Sequence, residues 1–212
     1  MKLSSLKQLP VKAGAAALHF GDCKPRVEGR EIHLSFEPEA EFHPLQGGSQ
    51  FLLARGVEAS PLSYLFGGTD EGHAFLVPVT AEAYTAFLEG GQGGFYRALM
   101  PKVIARALTH FGKPALRQGA LIAVCAFHDW KSITHDSLFW PGNDAEPQRG
   151  DLNVFGTHHT LSGEWMHHKF IEEGEECILA KGLLKAEGHP SLCLNRIHIV
   201  ARMRCIVDAR LN

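Results

Sequence analysis

Residues 156–170, GTHHTLSGEWMHHKF, place two His-His doublets on either side of Ser162-Gly163. A Ser-Gly pair between two such runs signals a two-residue hairpin turn. With the turn there, Leu161 faces Glu164, His158 pairs with His167, His159 pairs with Met166, and His168 faces Thr157. Directly opposed strand residues have Cβ atoms about 4.5–5.5 Å apart, so His158 and His167 share a face within reach of one ion. Adjacent residues point to opposite sides, which puts His159 and His168 on the other face. Two imidazoles are half a site, because zinc takes four ligands, or three and a water. His189, in GHPSL, and His198, in the last strand, are the candidates to complete it, with oxygens from Glu164 or Asp151. The competing reading is a solvated pair on an exposed hairpin.

The flanking pattern sets the fold class. GAAALHF (14–20), EIHLSF (31–36), QFLLAR (50–55) and AFLVPV (74–79) read as strands, separated by loop-like GDCKPRVEG, EPEAEFHPLQGGS and LFGGTDEG. TAEAYTAFLEGG (80–91) predicts a short helix capped by Thr80. FYRALMPKVIARALTHFG (95–112) predicts one long helix over about 95–111, its apolar face formed by Phe95, Leu99, Val103, Ala107 and Phe111. Pro101 inside it marks either a start near residue 100 or a kink. ALRQGALIAVCAF (115–127) reads as a buried strand and 128–151 as a long polar loop anchored by Trp130, Phe139 and Trp140. CILAKGLLKAE (177–187) and RIHIVARMRCIV (196–207) close the pattern; the latter alternates most strictly. The expectation is an α+β fold: a largely antiparallel sheet or barrel-like core with one long helix packed on it. It forms a single domain over 1–212, with a β-rich subdomain 1–90 and an α+β part 91–212 as the finer division.

ALRQGALIAV, GTHHTLSGE and ILAKGLLKAEGHPSLCLNRIHIV together resemble a loose set of uncharacterised bacterial and phage proteins. Those carry an Arg-Gln-Gly-acidic strand, a Gly-x-His-His-like strand, and a His-x-x-His segment before a last strand. The resemblance covers about residues 95–205. It implies that Arg117, Gln118, Gly119, His158, His159, His189 and His198 are family features. Ala120 stands where the family carries an acidic residue, and Ala186 replaces the first His of His-x-x-His.

Other patterns fit less well. His128-Asp129 and His135-Asp136 resemble the His-Asp dipeptides of metal-dependent phosphohydrolases, but fall in a loop of a β-rich region rather than on helices. Gly150, His158, His159 and Glu164, with Gly182, His189 and Asn195, match the two cupin motifs only in part, since one of two adjacent histidines must point outward. FLEGGQGGFYR (87–97) lacks the GxxxxGK[ST] pattern of a phosphate loop.

Composition bounds the partners. Lys and Arg (21) nearly balance Asp and Glu (23), which argues against a broad polyanion-binding surface. Thirteen histidines are dispersed rather than gathered in a tag-like run, so a chemical or structural use is expected. Cys23, Cys125, Cys177, Cys193 and Cys205 form no CxxC pair, and three sit in apolar runs, as reduced thiols of a cytoplasmic protein do. No stretch has the length of a membrane span.

Two functions remain open. In the first, an enzyme, His158, His167 and His189 or His198 hold a divalent metal (zinc, iron or manganese). Alternatively, His159 serves as a metal-free acid or base. In either form Arg117 positions a small anionic substrate. In the second, a binding module recognises a protein or nucleic acid through the 128–151 loop and the arginines of the last strand.

Overall fold

The computed structural model describes residues 17–21, 24–35, 37, 39–56, 62–70, 72–133, 146–170, 175–187 and 189–204. The chain divides into two compact units that meet in sequence at Leu99 and Met100.

The first unit holds two small sheets and a helix. Strands β1 (Ala17–Gly21), β2 (Arg26–Glu28) and β3 (Glu31–Ser35) form one sheet, in which β3 pairs parallel with β1 and antiparallel with β2. Strands β4 (Glu41–Leu45), β5 (Gln50–Ala54), β6 (Tyr64–Asp70) and β7 (His73–Pro78) form an antiparallel meander. Ile32, Leu34, Phe42, Phe51, Leu53 and Leu65 make the shared core. β4 and β6 fall where the sequence predicts loops. Gly67, read as a turn residue, is instead a packing residue: a Cβ there would lie 2.6 Å from the Phe51 ring. Helix α1 (Ala81–Leu99) follows, broken at Gly91 (φ 58°, ψ −153°). At its start Thr80 Oγ1 accepts from the Ala83 N–H at 3.4 Å, as the sequence predicts.

The second unit begins with helix α2 (Lys102–Phe111), so the expected single helix over 95–111 is two. Pro101 has no N–H to donate and an extended backbone (φ −57°, ψ 141°), and it ends one helix and starts the next. Glu175 then supplies the missing cap: its two carboxylate oxygens accept from the N–H groups of Lys102 (3.2 Å) and Val103 (3.0 Å). Gly112, at φ 60°, closes α2 as expected.

One antiparallel sheet carries the rest of this unit. Its strands are β8 (Ala115–Gln118), β9 (Leu121–Phe127), β10 (Gln148–Asn153), β11 (His159–Phe170), β12 (Glu175–Ala186) and β13 (His189–Arg202), in the order β10-β11-β12-β13-β9-β8. The predicted strand 115–127 is thus a hairpin. Its two-residue turn is Gly119-Ala120, with Gly119 at φ 54°. The predicted loop 128–151 ends in β10; within it Asp129 caps a 3-10 turn at Trp130–Ser132. Phe139, Trp140, His135 and Asp136 lie outside the described residues.

Ser162-Gly163 is not a turn. Both lie inside β11, where Ser162 pairs with Asp151 and Leu183, and Gly163 with Gly150 and Gly182. Three glycines thus stand abreast on β10, β11 and β12. A Cβ on Gly163 would sit 2.2 Å from the Lys181 carbonyl oxygen, and one on Gly182 2.3 Å from that of Ser162. A register shift between Ala180 and Gly182 adds a bulge in the same place.

The glycine row is where the long strands bend. On a straight β13, Pro190 and Arg202 would be about 40 Å apart. Yet Gln118, one pair beyond the Leu121 that faces Arg202, donates its side-chain amide to the Pro190 carbonyl. Leu184 and Leu194, beyond the row, share one cluster with Leu121, Ala123, Ile178 and Val200. The sheet folds over without closing: β8 and β10 remain its edges, and the expected barrel is not formed.

Candidate functional site

The fold-over brings the ends of three strands onto the Gly119-Ala120 turn. His159 opens β11, His189 opens β13, and Arg117 and Gln118 end β8. The missing Cβ of Gly119 makes the room. An atom there would lie 3.2 Å from His159 Nε2 and 3.4 Å from His189 Nε2. The two rings stack loosely, centroids 6.3 Å apart at 22°. Arg117 Nε donates to the Gly119 carbonyl at 3.0 Å, which ties the exposed guanidinium to the same turn.

His159 is buried, and both of its ring nitrogens face protein oxygens. Nε2 lies 2.9 Å from the Gln118 carbonyl, which can only accept, so the proton is on Nε2. Nδ1 lies 3.0 Å from Thr157 Oγ1, which gives its one proton to the Val154 carbonyl at 2.7 Å. Burial pushes this imidazole below the ordinary histidine pKa, with the Gln118 bond opposing and His189 and His158 adding to the fall. With Nε2 on the Gln118 carbonyl and Nδ1 against the Thr157 hydroxyl oxygen, the ring holds the turn in place. His189 is the half-buried imidazole of the pair.

Gln118 carries an unanswered group. The residue is 4% exposed; its amide nitrogen is used on Pro190, and its Oε1 is buried without a hydrogen-bond partner. A buried acceptor left unpaired costs about 1–3 kcal/mol. Flipping the amide would set two oxygens against each other, so the orientation is fixed by Pro190.

The other expected ligands disperse. His158 and His167 are exposed and lie on one continuous run of chain, on either side of Gly163, so they do not face each other. His167 packs edge-on against Trp165, centroids 5.1 Å apart. His198 is buried in mid-sheet, where Nδ1 donates to the Arg196 carbonyl at 2.7 Å and burial lowers its pKa. Glu164 is used structurally, accepting from Trp130 Nε1 at 2.6 Å and pairing with Arg149 at 3.0 Å. That bond also makes Trp130 a packed residue rather than a free stacking platform. Among the described residues, no three His, Cys, Asp or Glu side chains are grouped to hold a metal ion. No described helix is long and apolar enough to cross a membrane.

One cluster in the first unit has no counterpart in the sequence reading. His43 Nε2 lies 3.0 Å from the Tyr84 hydroxyl, which donates to Glu41 Oε2 at 3.3 Å. Burial and the nearby carboxylate raise the Tyr84 phenol to about 12, and burial lowers His43. Its signal was hidden because β4, which carries His43 and Glu41, is interrupted by Pro44 and reads as loop. Compared with known proteins, the chain matches no family model, no curated protein and no solved structure.

Proposed function

We propose that the second unit binds a small anionic molecule at the Gly119 turn, with Arg117 as charge partner and His189 as the proton-exchanging group. His159 acts as a positioning residue. The observation that carries this reading is the orphaned Gln118 Oε1, a buried acceptor at a turn where a cation and two imidazoles converge. It calls for a ligand that also donates a hydrogen bond, such as a hydroxy acid. A metal is the weaker occupant: among the described residues no three candidate ligands are grouped to hold one.

The test is an amide NMR titration with glycolate, acetate and inorganic phosphate. Glycolate is expected to shift Gly119 saturably and to bind more tightly than acetate, because its hydroxyl satisfies Gln118. Arg117→Gln is expected to abolish both. Absence of a saturable shift at Gly119 with all three anions sinks the proposal.

A further inference from the structure

A second site, sharing no residue with the turn, lies where β12 and β13 meet the start of α2. Pro101, Phe155, Glu175, Glu176, Arg202 and Arg204 line a cavity of about 410 Å³. That volume suits a small organic ligand. The lining has both signs of charge and an aromatic ring, and their availability differs. Glu175 is spent, because it caps α2 and accepts from Arg204 Nε at 3.0 Å. Arg204 keeps the Nη edge of its guanidinium, and the side chain is 42% exposed. Glu176 is exposed and, among the described residues, makes no ion pair.

Phe155 is held in place at a backbone cost. Its φ of 53° is a left-handed value that an aromatic residue seldom adopts. Three hydrogen bonds maintain it: Thr157 Oγ1 and the Thr157 N–H both reach the Val154 carbonyl (2.7 and 3.1 Å), and Asn153 Nδ2 donates to the Thr157 carbonyl at 2.8 Å. Such over-determined strain belongs with functional positions.

We infer that this cavity binds a small zwitterion with an apolar side chain, the chemistry of a free α-amino acid. The carboxylate meets the Nη edge of Arg204 with Arg202 beside it, the ammonium meets Glu176, and the side chain packs on Phe155 and Pro101. A simple anion would be opposed by Glu176 and a simple cation by Arg204, so the lining selects a molecule with both charges.

Calorimetric titration with L-phenylalanine, 3-phenylpropionate and phenethylamine decides it. L-Phenylalanine is expected to bind at least about tenfold more tightly than either one-charged analogue, the loss typical of a charge-assisted hydrogen bond. Arg204→Gln is expected to weaken L-phenylalanine by about the same factor. Glu176→Gln is expected to erase its advantage over 3-phenylpropionate. Arg117→Gln leaves all three unchanged, which separates this site from the turn. Absence of saturable L-phenylalanine binding overturns the inference, as does equal affinity for the three probes. If Arg204→Gln does not fold, Glu176→Gln decides alone, since among the described residues that side chain has no ion pair to lose.

Discussion

Gly119, in RQGA, and Gly163, in LSGE, do opposite things. Gly119 turns the chain: it takes φ 54° at the first position of a two-residue hairpin. Gly163 keeps the chain extended and lets a neighbouring strand come so close that no Cβ fits. The first glycine is there for a dihedral angle and the second for a distance. The second makes the tighter long-range demand, because the β12 backbone at Lys181 and Gly182 lies against it. What the pair teaches is that the bend at Gly163 creates the site at Gly119. Without the fold-over, His159 and His189 would be far from Arg117.

That dependence can be broken at its strongest point. Gly163→Ala puts a Cβ 2.2 Å from a backbone oxygen that cannot swing away. A loss exceeding about 4 kcal/mol is expected in urea unfolding, at the extreme of single substitutions; a loss under about 1 kcal/mol would mean that the glycine row is not the fold line. Gly119→Ala should cost less, about 1–2 kcal/mol for the left-handed backbone. Its Cβ also meets both Nε2 atoms, so the His159 and His189 ring resonances should move while those of His198 stay. Unchanged ring resonances would count against the convergence at the turn.

Acid sharpens the comparison from the histidine side. His159, His168 and His198 all have folded pKa values lowered by burial. The unfolded chain takes their protons near pH 6.5 while the folded one resists, so acid favours unfolding. Their contribution is complete above about pH 6.5 and is lost as pH falls through the depressed folded values. The urea midpoint of the second unit should therefore drop between pH 7.5 and 5, and His159→Gln should flatten the slope by one proton's worth. A flat wild-type profile would show these rings to be solvated. The smallest effect concerns thiols: exposed Cys193 should react with a disulfide reagent before Cys177, which is buried and has its pKa raised to about 12 by burial and Glu175. Faster labelling of Cys177 would place the β12 core in water.

Much of the local structure was legible. The pattern in RIHIVARMR marks β13, although His198 and Val200 are buried along with Ile197, Ile199 and Ala201, and Gly112 ends α2 where expected. Alternation failed where glycine or proline interrupted a strand, as at Gly67-Gly68 in β6 and Pro44 in β4, because the same residues that make turns also permit close packing and edge positions. At the candidate site the sequence offers Arg117 and His159 as catalytic residues and His189 as a metal ligand, but it pairs His158 with His167 through a turn that does not form. A one-residue choice of turn reassigns every cross-strand partner.

The sequence by itself determined which segments alternate, where α2 stops, and that Pro101 interrupts the helical run. These depend on dihedral preference and on side-chain period, which are local. Tertiary structure alone decided which glycine turns and which one bends, that Glu175 caps a helix far away in sequence, and that His159 sets its Nε2 on the Gln118 carbonyl. Each of those rests on an atom brought close by the folded sheet, and a close approach between distant strands leaves no periodic trace along the chain.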